Sequence, residues 1–255
     1  MNYFGTAVTD VGVRKKTNQD SICMKIATHG NGGQVAMVVI CDGMGGLKKG
    51  EVASATVVRT FGNWFDKVLP YRIENYDRSA VVAEWEQMLI QENERILAYG
   101  KSQGFTLGTT FTGLLIVGRE YLVVHIGDTR AYYIDHRVQQ LTEDHTVTAR
   151  EIKEGRMTPA QAATDRRRHV LLQCIGASPR MFPQSILGTA QPDSVILLCS
   201  DGFRNKLTDD EIYQSFNPRA VQDVDSIERH GLALIDRVKE RREQDNISIA
   251  VLKCV

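Results

Sequence analysis

Two short apolar runs in this chain each end at an Asp-Gly pair. VAMVVIC (35–41) runs into Asp42-Gly43, and VILLC (195–199) reaches Asp201-Gly202 through Ser200. Runs of this length, rich in β-branched residues and closed by a turn dipeptide, read as buried strands. A buried strand delivers its last residue to a sheet edge with little positional freedom. The glycine that follows lets the backbone turn sharply and brings a carbonyl close to whatever the aspartate binds.

The rest of the chain fills in around these strands. Ala53, Val57, Phe61, Trp64 and Val68 recur every three or four residues, which predicts an amphipathic helix from Gly50 to about Leu69. A second helix is predicted over Ala80–Tyr99, with Val82, Trp85, Leu89 and Ile96 inward. Strands follow at Thr109–Val117, Tyr121–Ile126 and Arg130–Ile134, the last two flanking a Gly-Asp-Thr turn that signals a hairpin. Val147–Cys174 reads as short helices with an Arg-rich middle. Helices at Thr208–Phe216 and Ile227–Glu240 precede a last strand, Ile247–Leu252. Many strands with a few long helices, and no regular βαβ alternation, predict α+β layers rather than a doubly wound parallel sheet. No linker or repeat divides residues 1–255, so one domain is expected, with 144–172 as a small appended flap subdomain.

Bulk properties exclude several classes of function. Lys plus Arg and Asp plus Glu both number 31, so no basic field exists for nucleic acid or an anionic membrane. No apolar run approaches the roughly 18 residues of a membrane span. The opening MNYFGTAVTDVG lacks a basic region followed by an apolar stretch, so a cytoplasmic protein is expected. Cys23, Cys41, Cys174, Cys199 and Cys254 are scattered and include no CxxC pair, which fits reduced thiols better than a disulfide framework or a zinc site. Buried apolar thiols explain Cys41 and Cys199 better than redox sensing does.

The carboxylates carry the chemistry. Besides Asp42 and Asp201, Asp245 opens the last strand, Asp128 sits in the Gly-Asp-Thr turn, and Asp20 ends KTNQD just before SICMKI. Several carboxylates at strand ends, with few cations beside them, suggest a hard-cation site; oxygen ligands favour Mg²⁺ or Mn²⁺ over Zn²⁺. Singly, each is explained by turn chemistry. Asp10, Asp209 and Asp210 keep that plain reading, the last two as acids at a helix start after Thr208.

Order and spacing go further. TDVGVRKKTNQDS, CDGMGG, GEVAS, GTTFTG, HIGDTRAYY, LTEDHT, CSDGF and DNISIAVL occur in that order across essentially the whole chain. In these eight stretches the sequence resembles the PPM class of metal-dependent protein phosphatases, the type 2C family, in its short bacterial form. The resemblance implies a four-layer α-β-β-α sandwich with two central antiparallel sheets and a metal site at one end. It implies hydrolysis of phosphoserine and phosphothreonine in proteins by a metal-activated bridging water, in opposition to a bacterial serine/threonine kinase. By position, Asp42 bridges two Mn²⁺ or Mg²⁺ ions and the Gly43 carbonyl ligates one of them. Asp201 and Asp245 ligate the other, Asp20 acts partly through water, and Asp128 helps hold a weaker third ion. No phosphoenzyme forms, so no nucleophilic Cys or Ser is required.

The sequence departs from the family pattern at several positions. The family's phosphate-binding Arg falls on Lys15, with Arg14 one residue earlier. Lys is a point charge without Arg's bidentate grip, so either Lys15 substitutes or a backbone shift lets Arg14 reach. Gln19 stands where many members have Glu, Met44 where eukaryotic members carry a proposed acid His, and Thr129 where Ser is commoner. None of the six histidines lies at metal spacing from another; His145 reads as a surface residue near the site's rim. The run DRRRH (165–169) reads as a solvated face, or as a contact for acidic or phosphorylated substrates. Two rival readings are a pseudophosphatase that binds phosphoproteins without turnover, and a small-molecule phosphatase or nucleotide-binding protein that uses Gly43–Gly46 as a cradle. The first predicts a lost core carboxylate, yet Asp42, Asp201 and Asp245 are all present; the second lacks GxxxxGK[ST] spacing.

Overall fold

The computed structural model describes residues 1–30, 32–44 and 49–255, so Gly45 and Gly46 of the glycine cradle lie outside the described residues. The chain runs β1 (Tyr3–Asp10), β2 (Ser21–Thr28), β3 (Gln34–Cys41), α1 (Gly50–Lys67), α2 (Leu69–Arg72) and α3 (Arg78–Gln103). It continues through β4 (Phe111–Val117), β5 (Glu120–Ile126), β6 (Arg130–Ile134), β7 (Val138–Gln140), α4 (Val147–Lys153) and α5 (Pro159–Thr164). It closes with β8 (Gln184–Thr189), β9 (Val195–Cys199), α6 (Asp201–Arg204), α7 (Asp209–Phe216), α8 (Val224–Glu240) and β10 (Ile247–Cys254).

The strands form two five-stranded sheets, in the orders β2-β3-β4-β5-β8 and β1-β10-β9-β6-β7, with every pairing antiparallel. Side chains on a strand alternate between faces, and here both faces of the central strands are buried. Val35, Met37, Val39 and Cys41 of β3 pack with Val57, Phe61 and Trp64 of α1 and Trp85 and Leu89 of α3. Ala36, Val38 and Ile40 face the other way and meet Ile196, Leu198, Ala250 and Leu252 of the second sheet. That sheet's outer residues, Leu197, Cys199, Ile249 and Val251, are covered by Phe216 of α7 and Leu234, Ile235 and Val238 of α8. The result is the expected α-β-β-α sandwich, and it explains why β3 and β9 read as unbroken apolar runs rather than alternating ones.

The hairpin expected across Gly127-Asp128-Thr129 does not form. A strand has two hydrogen-bonding edges, and those of β5 are taken by β4 and β8 while those of β6 are taken by β9 and β7. The three residues instead carry the chain from one sheet to the other, through Gly127 at φ 110°. The helical reading of Val147–Cys174 also stops short: helix ends with α5 at Thr164, and the remaining residues turn back to make the bridges Thr146↔Leu171 and Thr109↔Ile175.

Candidate active site

Register brings the aspartates to one end of the sandwich. Ser21 pairs with Cys41, so Asp20 and Asp42 are neighbours at the ends of β2 and β3. Cys199 pairs with both Ile249 and Arg130, so Asp201 lies between the start of β10, preceded by Asp245, and the crossover that holds Asp128. The two Asp-Gly glycines sit where a side chain has no room. A Cβ on Gly43 would lie 2.6 Å from the carbonyl oxygens of Gln19 and Gly50, and one on Gly202 would lie 2.1 Å from that of Asn246. Each turn is thereby pressed against the segment that carries another of the aspartates.

Backbone and side-chain hydrogen bonds hold these turns. Asp42 N donates to Thr110 Oγ1 at 2.9 Å, and its carbonyl accepts from Thr110 N at 2.9 Å and Thr109 Oγ1 at 2.8 Å. Buried Asn246 ties the loop before Asp20 to Asp245. Its Nδ2 donates to the carbonyls of Val11 (2.9 Å) and Thr17 (3.2 Å), and its Oδ1 accepts from Gln19 N (2.9 Å). Asp144 receives two hydrogen bonds from Arg130, at 2.8 and 2.7 Å, and one from Arg204 at 3.2 Å; Arg204 also donates to the Asp128 carbonyl at 3.3 Å.

The electrostatics are those of an uncompensated anion cluster. Burial pushes the Asp42 carboxyl well above the usual range, and the charges of Asp20, Asp201, Asp128 and Asp245 add to the shift. Burial likewise raises Asp20 to about 7, with Asp201 and Asp245 contributing. Asp128 also rises to about 7, by burial and then by Asp201, while Arg204 opposes the shift. Asp201 alone among these buried four is lowered, because His169 and then Arg204 offset its burial. Both oxygens of Asp20 and Oδ1 of Asp201 are buried and accept no hydrogen bond among the described residues. Orphaned buried oxygens cost stability unless something binds them. An oxygen-only donor set of this charge fits hard divalent cations.

All five sequence-predicted aspartates therefore converge, with Gly43 next to Asp42 in the chain. Lys15 and Arg14 reach the rim. Lys15 Nζ lies 2.7 Å from Asp245 Oδ1, and Arg14 donates to Gln244 Oε1. A cleft of 1190 Å³ opens beside the cluster, lined by Arg14, Lys15 and Asp245 but by none of the other four aspartates.

Two features were not legible beforehand. His169 places Nδ1 3.3 Å from Asp201 Oδ2, and ligand atoms of Asp128, His169 and Asp201 all lie within 4.8 Å of one another. No spacing signal marks it in DRRRH, of which Arg167 is engaged by Asp165 at the surface. His145 is not a surface residue. It is half-buried against His125, with ring centroids 4.8 Å apart, and its Nδ1 accepts from Gly127 N at 3.1 Å. The crossover folds the 143–146 segment back under the Asp128 turn, and burial lowers the His145 pKa. All five cysteines are free thiols, and burial raises Cys41 far above its ordinary value and Cys199 to about 12, as unreactive core thiols require.

Comparison with known proteins agrees with this geometry. Residues 12–233 match the family described as "Protein phosphatase 2C". Protein phosphatase PhpP of Streptococcus pneumoniae is 30% identical over 209 residues, which are 80% of each chain. The structure of the S. agalactiae serine/threonine phosphatase superposes with a TM-score of 0.85 at 24% identity, covering 99% of this chain and 100% of that one. The catalytic domain of the serine/threonine phosphatase PstP, solved with two manganese ions, superposes with a TM-score of 0.78 at 25% identity, covering 98% of this chain and 97% of that one.

Proposed function

The chain belongs to the protein phosphatase 2C family and is a metal-dependent protein serine/threonine phosphatase; from that premise we propose which of its residues hold the metal and the phosphate. Asp42 and the Gly43 carbonyl, with Asp201 and Asp245, form the core ligand set for two Mn²⁺ or Mg²⁺ ions. Asp20 supports them from its buried position, and Asp128 holds a weaker third ion. Such cations, when bound, supply charge for the phosphate oxygens and make a shared water acidic enough to attack at neutral pH. The chain's own part is to fix the carboxylates, exclude bulk water around Asp20 and Asp201, and offer the incoming phosphate a cation at the rim. The observation that carries this reading is the convergence of five carboxylates from five separate segments, with buried oxygens left without partners.

The intended substrates are cytoplasmic phosphoproteins, and the opposing enzyme is a bacterial serine/threonine kinase. Neither nucleic acid nor membrane is a partner. The neutral net charge supports this reading. Turnover of p-nitrophenyl phosphate and of a phosphothreonine peptide vanishes in EDTA and returns with Mn²⁺ or Mg²⁺. Full turnover in a verified metal-free sample would overturn the mechanism and admit a metal-independent one.

Lys15 is the phosphate contact in this reading, because its ammonium already lies against Asp245 while Arg14 engages only Gln244. Lys15→Ala raises KM for phosphopeptides roughly 10–100-fold, the scale of one charge-assisted hydrogen bond. Arg14→Ala changes it far less. Unchanged kinetics in both variants would remove this segment from phosphate binding.

A further inference from the structure

The 1190 Å³ cleft beside the carboxylate cluster differs in charge from the rest of the molecule. The whole chain balances 31 basic against 31 acidic residues, but the cleft is lined by nine Lys and Arg and only four Asp and Glu. All four acids are engaged. Glu143 holds Lys153 at 2.6 Å, Asp144 holds Arg130 and Arg204, and Asp245 holds Lys15. The Glu243 carboxylate accepts the backbone N–H groups of Gln244 and Asp245 at 2.8 and 3.2 Å. Of the remaining five cations, Arg14 donates to the Gln244 amide oxygen, and Arg150, Arg168, Lys206 and Arg242 line the cleft with no carboxylate partner among the described residues.

These four cations come from separate segments: α4, the chain after α5, the loop after α6 and the loop after α8. One solvated helix face does not explain them. The last two loops are also fastened together. Arg241 donates to the Lys206 carbonyl and to both carboxylate oxygens of Glu211. Its neighbour Arg242 holds φ at 60°, in the left-handed region that a non-glycine residue rarely adopts. All four cations are solvent-exposed, yet like charges gathered along one concave wall repel one another and focus a positive potential, and a bound anion relieves both.

We propose that this cleft is a subsite for anionic groups flanking the phosphoresidue, so that the enzyme selects phosphopeptides carrying acidic side chains or a second phosphate near the scissile one. The inference rests on the phosphatase reading above and adds to it a substrate class. Asp245 and Lys15 line both the cleft and the carboxylate cluster, so a peptide with its phosphate at the cluster must lay its flanks along these cations.

The test uses three peptides with the same central phosphothreonine and with flanks that are neutral, Glu-rich, or carry a second phosphothreonine. Wild-type kcat/KM is expected to be about tenfold higher for the two anionic-flank peptides than for the neutral one, the scale of two or three partly exposed charge contacts. The advantage shrinks as salt is raised, because such contacts are screened. Arg150→Glu combined with Arg242→Glu abolishes the preference, while p-nitrophenyl phosphate, which has no flanks, is turned over as before. A gain for the doubly phosphorylated peptide alone identifies phosphate as the recognised flank; a gain for both identifies charge in general. Equal kcat/KM for all three peptides, or a preference that survives the double reversal, overturns the subsite. Anisotropy binding of the Glu-rich peptide in its unphosphorylated form, compared between wild type and the double variant, reports on the cleft independently of turnover. Failure of catalysis with this binding difference intact therefore counts against the mechanism and not against the subsite.

Discussion

Asp42→Ala abolishes both tight metal binding and turnover, with activity falling roughly a thousandfold or more, since the charge that a bound cation supplies is worth several kcal/mol in the transition state. The substitution isolates the carboxylate. Asp42 is held through its backbone, with N on Thr110 Oγ1 and its carbonyl on Thr110 N and Thr109 Oγ1, so β3 and its end stay where they are. The remaining aspartates keep their positions but lose the ligand assigned to both core ions. Asp128→Ala is the contrasting case. Its turn is fixed by the Thr112 and Thr129 hydroxyls at 2.7 Å and by His145 N on the Gly127 carbonyl at 2.7 Å, independently of its own carboxylate. The two core ions remain bound, and turnover drops by about tenfold, a loss of about 1.4 kcal/mol. Calorimetric counting of Mn²⁺ beside phosphopeptide kinetics checks both halves. If Asp128→Ala loses the tight ions as Asp42→Ala does, the division of the carboxylates into a core and an outer set is wrong. If it keeps wild-type turnover, Asp128 only closes the crossover.

What could be read from the sequence follows from how each strand is buried. β3 and β9 are covered on both faces and so appear as continuous apolar runs. β8 reads QSILGT because its side chains alternate between half-buried and exposed, and β1 and β2 carry polar residues at their partly exposed positions. No local signal distinguished those edge and near-edge strands from loop. The Gly-Asp-Thr turn has hairpin chemistry, and only the occupied edges of β5 decide that the chain crosses between sheets instead. The site divides the same way. Asp20, Asp42, Asp128, Asp201 and Asp245 were visible because each ends or begins a strand, or turns the chain between two. His169 reaches Asp201 from an arginine-rich loop whose path is set by the bridge between Thr146 and Leu171, and that information is tertiary. Asn246 did carry a signal, as an amide at the head of a largely apolar strand, and such a residue, once buried, is expected to hold backbone elsewhere.

The aspartate cluster is expected to cost metal-free protein stability as pH rises from about 4 to about 7, and bound metal to turn that cost into a gain over the same range. In the unfolded chain an aspartate titrates near 3.8, whereas in the fold burial and neighbouring charges hold Asp20 and Asp128 near 7 and Asp42 well above its usual range. A carboxyl whose folded pKa is raised binds its proton more tightly in the native state. Its contribution is complete below the unfolded value and is lost as pH climbs through the folded one. Asp20 and Asp128 are each shifted by about three units, and one unit is about 1.4 kcal/mol; because they share one cluster, their effects do not add fully, and a loss of a few kcal/mol is expected from the cluster. For a chain of this size that is a fall in Tm of roughly 5–10 °C. His125 opposes the aspartates in the same window, because burial holds it to about 3 against an ordinary value of 6.5 and its neutral form favours the fold increasingly as pH rises; other opposing groups act at lower pH. Glu211 and Asp165, held near 2 chiefly by Arg241 and Arg167, lose stabilising pairs only as pH drops from about 4 towards 2. Because His125 works against the cluster, the metal-free curve is flattened between about pH 4 and 7. Divalent cations invert the slope because they bind the ionised carboxylates and displace the protons. Thermal unfolding between pH 4.5 and 8, in EDTA and in Mn²⁺, should give two curves that diverge as pH increases. Curves in EDTA and in Mn²⁺ that stay parallel from pH 5 to 8 would mean that the aspartates are not mutually destabilising in the empty fold, and the argument for a cation cluster from their buried, unpartnered oxygens would fall with it.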